Sequence, residues 1–261
     1  MSIALNISEI LFAGIDMSES KRKKMVNEGS IRKITSKIYT PNMVDSLEDI
    51  VKRNVFRILG FLFPHAVISH RSAFELKPTE AGDIYLTYEY TKNVKLPGLK
   101  VHLMEGHGGG ERDMPFIENL YISSAERRTL ENLQASRSRG GVSKCLPREY
   151  IENYLEKHLQ VNGEKGLNDF RDKARECSLE LGMKEEFNTL NSIIGALLLT
   201  RPVSILTSSG AVARASGEPF DAERVKLFGV LFEALHNQPF ETIDEPNVET
   251  SAFRNFAFFE S

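Results

Sequence analysis

The chain has 261 residues, with 33 Lys and Arg against 36 Asp and Glu, and a net charge of −3 at pH 7. Its 41% apolar and 9% aromatic residues are enough for buried cores, which excludes a chain that is disordered throughout. No apolar run approaches the roughly 18 residues of a membrane-spanning helix, and the N-terminus lacks the basic region of a signal peptide. The two cysteines, Cys145 and Cys177, indicate neither a disulfide framework nor a metal cluster. A protein of the reducing cytoplasm, without membrane contact, is therefore predicted.

A short basic helix is the first distinctive element. Residues 3–12 carry apolar side chains at helical spacing, and Ser18 is placed to cap a second helix over residues 19–28. On a helical wheel, Met25 and Val26 define the side of this second helix that packs against the rest of the protein.

A β-hairpin is predicted directly after this helix. Gly29 stops the helix, and residues 31–34 and 37–39 alternate as two strands. Helix, turn, basic helix and hairpin follow one another in the order of a winged helix-turn-helix, which is a DNA-binding fold. The predicted fold class is α+β, and its first domain is a winged helix-turn-helix at residues 1–43.

The charge of this region is opposite to that of the whole chain. Between Ser18 and Thr40 there are seven Lys or Arg and two acids, an excess typical of contact with nucleic-acid phosphates. Side chains of the helix are expected in the major groove, and those of the hairpin on phosphate or in the adjacent minor groove. The predicted DNA-binding residues are Ser20, Lys21, Lys23, Lys24, Asn27, Arg32, Lys33 and Lys37. A solvated lysine-rich helix beside an ordinary hairpin would explain the same charges.

A small mixed α/β domain is predicted over residues 44–135. Ser46 and Asp49 fit a capping box for one amphipathic helix that ends at Pro64. Ser123–Glu126 caps a later helix that closes the domain. Between these two helices the pattern predicts a helical turn at residues 72–76. It also predicts four extended segments, at residues 66–69, 84–88, 99–104 and 116–122.

A helical bundle is predicted over residues 145–261, after a polar, basic and glycine-containing boundary at residues 136–144. Apolar residues at helical spacing mark four helices. The inward-facing residues are expected to be Tyr150, Ile151, Tyr154 and Leu155; Leu167, Phe170, Ala174, Cys177 and Leu181; Phe187, Leu190, Ile194, Leu197 and Leu198; and Val225, Phe228, Phe232 and Leu235. The phenylalanine-rich residues 248–261 are interpreted as a packing surface.

No catalytic constellation is predicted. The loop His107–Gly110 has the composition of an esterase oxyanion loop, but no Gly-x-Ser-x-Gly elbow accompanies it, so a surface turn or a phosphate-contacting loop is expected. His65 and His70 lack metal-ligand spacing and are interpreted as hydrogen-bonding groups at a strand end. Asp83 with Glu89 approaches a nuclease carboxylate pair, but the spacing and the lysine are missing. With no P-loop or Gly-x-Gly-x-x-Gly loop, we predict no enzyme, no cofactor and no metal.

Three segments in order carry a resemblance to a known family. They are residues 28–39 (EGSIRKITSKIY), 63–73 (FPHAVISHRSA) and 120–130 (LYISSAERRTL). Together, over Met1 to about Leu133, they resemble the abortive-infection AbiEi-type antitoxin and transcriptional regulator family. The resemblance implies a winged helix before a small α/β domain, and binding of double-stranded operator DNA to repress a toxin–antitoxin operon.

The helical half carries a second resemblance. Residues 191–201 and 255–261 look like the N-terminal half of long bacterial Fic-domain proteins, in which a comparable module precedes an AMP-transferring domain. The catalytic His-Pro-Phe…Gly-Asn-Gly-Arg motif and the inhibitory Ser/Thr-x-x-x-Glu-Gly/Asn helix of those proteins are absent, so no adenylylation is expected here. The expected function is a DNA-binding transcriptional regulator of antitoxin type. The alternative is a non-catalytic interaction module that docks a toxin or a Fic-type domain through its C-terminal helices.

Overall fold

A computed structural model describes residues 8–136, 142–217, 222–236 and 238. The helices are α1 (Glu19–Asn27), α2 (Leu47–Arg53), α3 (Val55–Leu62), α4 (His70–Glu75), α5 (Ala125–Asn132), α6 (Arg148–Leu181), α7 (Lys184–Leu197), α8 (Ser209–Ala215) and α9 (Ala222–His236). The strands are β1 (Leu11–Phe12), β2 (Arg32–Thr35), β3 (Ile38–Thr40), β4 (Val67–Ile68), β5 (Asp83–Tyr88), β6 (Lys92–Leu96), β7 (Leu99–Glu105), β8 (Met114–Pro115) and β9 (Tyr121–Ile122). The predicted α+β class with a helical C-terminal part is confirmed. No described helix is both long and apolar enough to cross a membrane.

The N-terminal layer is a three-stranded antiparallel sheet in which β3 lies between β1 and β2. Helical spacing predicted a helix over residues 3–12, but Leu11–Phe12 form β1, so the prediction is wrong there. Residues 3–7 lie outside the described part of the chain. Pairing with β3 places Phe12 in the core, where its ring stacks on Phe61 with centroids 4.2 Å apart.

Two helices replace the single helix predicted before Pro64. Ser46 caps α2 as predicted, because its hydroxyl accepts the Asp49 N–H at 3.1 Å. The helix breaks at Asn54, whose backbone (φ −110°, ψ 20°) is not helical. The side-chain amide of Asn54 donates to the Ile50 carbonyl at 2.9 Å. The break allows α2 and α3 to pack separately on the central sheet.

The central sheet has six strands in the order β6-β7-β5-β4-β9-β8 and mixes parallel with antiparallel pairs. The sequence did not predict β6, although Val94 and Leu96 alternate just before the Pro97–Gly98 turn. One face of the sheet shares a buried apolar cluster with α2 and α3, formed in part by Ile50, Ile58, Leu59, Ile84, Leu86, Val101 and Leu103.

The helices after residue 147 pack around a second apolar cluster, to which α5 contributes Leu130. Helix α6 breaks at Gly163, whose φ of 69° and ψ of −178° are accessible almost only to glycine. The sequence correctly predicted two helical segments there. The α5 helix thus ties the α/β part and the helices α6 to α8 into one packed body.

The chain forms two compact units, Met1–Pro219 and Phe220–Ser261, and α9 belongs to the second. The prediction that the apolar side chains of α9 face inward is wrong for the described helix, because Val225, Phe228 and Phe232 are exposed by 56%, 65% and 61%. Apolar residues also occupy the other sides of α9, so a single packed face does not account for its composition.

A buried ion-pair network joins α5 to the loop His107–Gly110, called the glycine loop below. The Arg127 guanidinium donates to Glu131 Oε1 at 2.8 Å, to Asp113 Oδ2 at 2.5 Å and to the His107 carbonyl at 2.8 Å. Burial alone would lower the pKa of Arg127, but the carboxylates of Glu131 and Asp113 raise it. The guanidinium therefore remains charged in the interior and holds the loop against the helix.

The same network reaches the start of α4. The second oxygen of Glu131 accepts the His70 backbone N–H at 2.9 Å and the Ser123 hydroxyl at 3.1 Å. One carboxylate of α5 therefore links the start of α4 and the residue that follows β9. Arg127 lies in residues 120–130, which carry the family resemblance, but nothing in that segment predicted its ion pairs.

A second buried carboxylate, Glu152 on α6, holds the start of α8. Its oxygens accept the backbone N–H groups of Thr207 and Ser208 at 2.7 and 2.6 Å and the Arg148 Nε at 2.9 Å. A carboxylate is stable there because a helix N-terminus offers unpaired N–H donors and a positive dipole end.

Candidate nucleic-acid interface

The basic helix α1 is delimited by the residues that the sequence indicated. The Ser18 hydroxyl accepts the Lys21 N–H at 3.3 Å, and the helix ends where Gly29 adopts a φ of 66°. Both signals are local, so they act regardless of the tertiary environment.

Two side chains attach α1 to the sheet below it. Met25 packs against a small cluster that includes Ile31 and Tyr39. The Arg22 guanidinium donates to the Tyr39 hydroxyl at 2.8 Å, and its hydrogen bond with Glu19 raises the pKa of Arg22 above its ordinary value. Arg22 is therefore an attachment point rather than a free cation.

The packed side of α1 is narrower than the helical wheel indicated. Val26 was predicted to pack, but its side chain is 42% exposed. The sheet has only three short strands, and the contacts of α1 with it are made by Met25 and Arg22. No residue of α1 is buried.

The predicted DNA-contacting residues of α1 are all exposed, namely Ser20, Lys21, Lys23, Lys24 and Asn27. Lys23 Nζ lies 3.9 Å from a Glu19 oxygen, and Lys24 Nζ lies 3.8 Å from a Glu28 oxygen. Pairs this long and this exposed contribute little, so both ammonium groups remain available to a polyanion.

The hairpin residues divide into two kinds. Lys33 on β2 and Lys37 in the β2–β3 turn are exposed. Arg32 instead donates to the Asn42 carbonyl at 2.6 Å and to the Asp45 carbonyl at 2.6 Å. Arg32 therefore stabilises the turn before α2, which sequence position alone did not indicate.

The assembled surface consists of a capped helix followed directly by an antiparallel hairpin. Its exposed cations are the five lysines 21, 23, 24, 33 and 37. The two nearby acids are Glu19 in α1 and Glu28 at its C-terminal end. Five lysines against two acids leave the surface with a net positive charge. The helix and the hairpin together form a basic surface whose charge suits a linear polyanion.

The loop His107–Gly110 does not fit the phosphate-binding alternative. It borders a cavity of about 510 Å³ whose lining includes two arginines, Arg112 and Arg127. The acids lining this cavity outnumber its arginines; they are Glu111, Asp113 and Glu180. An anion is therefore disfavoured there.

His70 and the two cysteines are buried. Burial lowers the pKa of His70, whose ring nitrogens lie 3.1 Å from Ser69 Oγ and from Gln134 Oε1. Cys145 and Cys177 are free and buried, and burial raises the pKa of Cys177 to about 11. Within the described ranges, no cluster of three or more His, Cys, Asp or Glu is arranged to hold a metal ion.

No protein-family profile, curated protein or solved structure matches this chain.

Proposed function

We propose that this protein is a DNA-binding transcriptional regulator of the antitoxin type, which binds operator DNA through a winged-helix surface made of α1 and the β2–β3 hairpin. The observation that supports this most directly is the exposure of α1. A helix with caps at both ends but no buried residue gains little from packing, so its lysines are better explained by an external partner.

The arrangement of the side chains fits a duplex. Ser20, Lys24 and Asn27 occupy positions i, i+4 and i+7, so they lie on one face of α1. Lysine recognises guanine edges and asparagine recognises adenine edges in the major groove. Lys33 and Lys37 on the hairpin would then neutralise backbone phosphates beside the groove.

The experiment is fluorescence anisotropy with a labelled duplex that carries the DNA upstream of the protein's own coding sequence. Five lysine–phosphate contacts predict that log Kd depends on log salt concentration with a slope whose magnitude is about 4 to 5. A scrambled duplex of the same length should bind more weakly. Absence of binding at low salt, or a slope near zero, would contradict the proposal.

A second function, a protein-interaction module that docks a toxin or a Fic-type AMP-transferring domain, is favoured by α9. This helix exposes Val225, Phe228, Phe232 and Leu235 at a spacing of three and four residues, which is the pattern of a helix that packs lengthwise on another.

We expect the product of the neighbouring gene to co-purify with this protein in high salt after nuclease treatment. Changing Phe228 and Phe232 to Ala should abolish co-purification, because two aromatic anchors are removed. Changing the exposed Lys226 to Ala on the same helix is the matched control and should leave it intact. Failure to recover any partner would remove this function.

A further inference from the structure

A cavity of about 530 Å³ opens beside α5, at the segment that leads into α6. Arg71 and Arg148 line it, together with polar groups and the apolar side chains of Leu133 and Leu146. Among the described residues, no carboxylate lines it. The cavity therefore presents guanidinium groups at one part of its wall and apolar residues at another.

Both arginines are held in place by carboxylates that lie outside the lining. Arg71 donates through Nε and Nη2 to Glu75 at 2.8 and 2.7 Å. Arg148 donates through Nε to Glu152 at 2.9 Å and through Nη2 to the Ile205 carbonyl at 2.8 Å. Within the described part of the chain, Arg148 Nη1 has no partner, so it remains a charged donor.

Gln134 supplies a second donor. Its Oε1 accepts from Lys144 Nζ at 2.7 Å and lies 3.1 Å from His70 Nε2. Its amide nitrogen has no partner among the described residues and can donate to a ligand. Lys144 adds an ammonium charge next to this amide.

We propose that this cavity binds a small phosphate-bearing ligand of mononucleotide size. Small-molecule sites commonly enclose about 300 to 1,000 Å³, and the volume here lies within that range. Arginine is suited to phosphate oxygens because its planar group presents several donors in a fixed geometry. Leu133 and Leu146 offer apolar contact to a sugar or a base. The proposal is independent of the DNA-binding surface, since none of these residues belongs to it.

The test is isothermal titration calorimetry of the full chain with AMP, UMP, ribose 5-phosphate and adenosine. At least one of the phosphate esters should bind, and adenosine should bind at least about tenfold more weakly than AMP, since it lacks the charged group that accepts the hydrogen bonds. Absence of binding by all three phosphate esters would overturn the proposal.

Two variants locate the binding to this cavity. Arg148→Gln should weaken binding of the phosphate ester about tenfold or more, because it removes the charged donor. Thr189→Trp should abolish binding by filling the cavity, since the Thr189 side chain lines it and makes only a local bond to the Glu185 carbonyl. Thr189→Val is the matched control and should keep wild-type affinity. Unchanged affinity in Thr189→Trp, with the fold verified by circular dichroism, would refute the location.

Discussion

Replacing Arg127 with Met is expected to lower the free energy of unfolding by about 3–5 kcal/mol. The change removes the guanidinium that pairs with Asp113 and Glu131, whose side chains are only 3% and 1% exposed. It therefore leaves two carboxylates in the interior without a counter-charge, and it frees the carbonyl of His107. Urea denaturation followed by circular dichroism at 222 nm measures the effect.

Two comparisons separate this cause from a general loss of packing. Arg128→Met is the matched control at the next position, where the guanidinium lies 4.9 Å from the Phe74 ring centroid, and it should cost about 0.5–1 kcal/mol. The triple variant Arg127→Met, Asp113→Asn, Glu131→Gln should recover part of the stability, because no unpaired charge remains. Equal losses in Arg127→Met and Arg128→Met would show that the network does not carry the effect.

Changing Lys23, Lys24, Lys33 and Lys37 together to Ala is expected to weaken duplex DNA binding on the order of 10³-fold at 0.1 M salt. Removing one lysine–phosphate interaction reduces the log–log salt slope by about 0.9, and removing four reduces it by about 3.6. When the salt concentration falls from 1 M to 0.1 M, each such interaction strengthens binding by about 0.9 decades. The four lysines are exposed, so the variant should unfold at the wild-type temperature.

The matched control changes four other exposed lysines, Lys92, Lys95, Lys100 and Lys173, to Ala. Both variants lose the same net charge, so a simple dependence on total charge predicts equal effects. If DNA binds the surface of α1 and the hairpin, only the variant that lacks the lysines of that surface should show a smaller salt slope. Equal slopes in the two variants would dismiss this surface as the DNA-binding site.

Local signals in the sequence were enough for much of the N-terminal region. Ser18 and Gly29 delimit α1 because a cap and a left-handed glycine act within one helical turn. The two helical segments within α6 were predicted from apolar residues at helical spacing. The exposure of the lysines on α1 also followed from sequence, since charged side chains are rarely buried without partners.

The tertiary structure decided features that depend on distant residues. Leu11–Phe12 forms a strand because β3 supplies its hydrogen-bonding partner, whereas apolar spacing in so short a segment is compatible with helix or strand. Arg32 is withdrawn from the basic surface because the carbonyls of Asn42 and Asp45 come within its reach. No local pattern contains that information.

The buried ion pairs show the same division most clearly. A helix with Arg127 and Glu131 at positions i and i+4 predicts at most a weak surface pair. The pair becomes a buried network because the fold brings Asp113 and the glycine loop against α5 and excludes water. The sequence by itself determined the cap and the glycine that delimit α1, and which charges the elements carry. Only the tertiary structure decided which of those charges are desolvated, because desolvation depends on what packs around them.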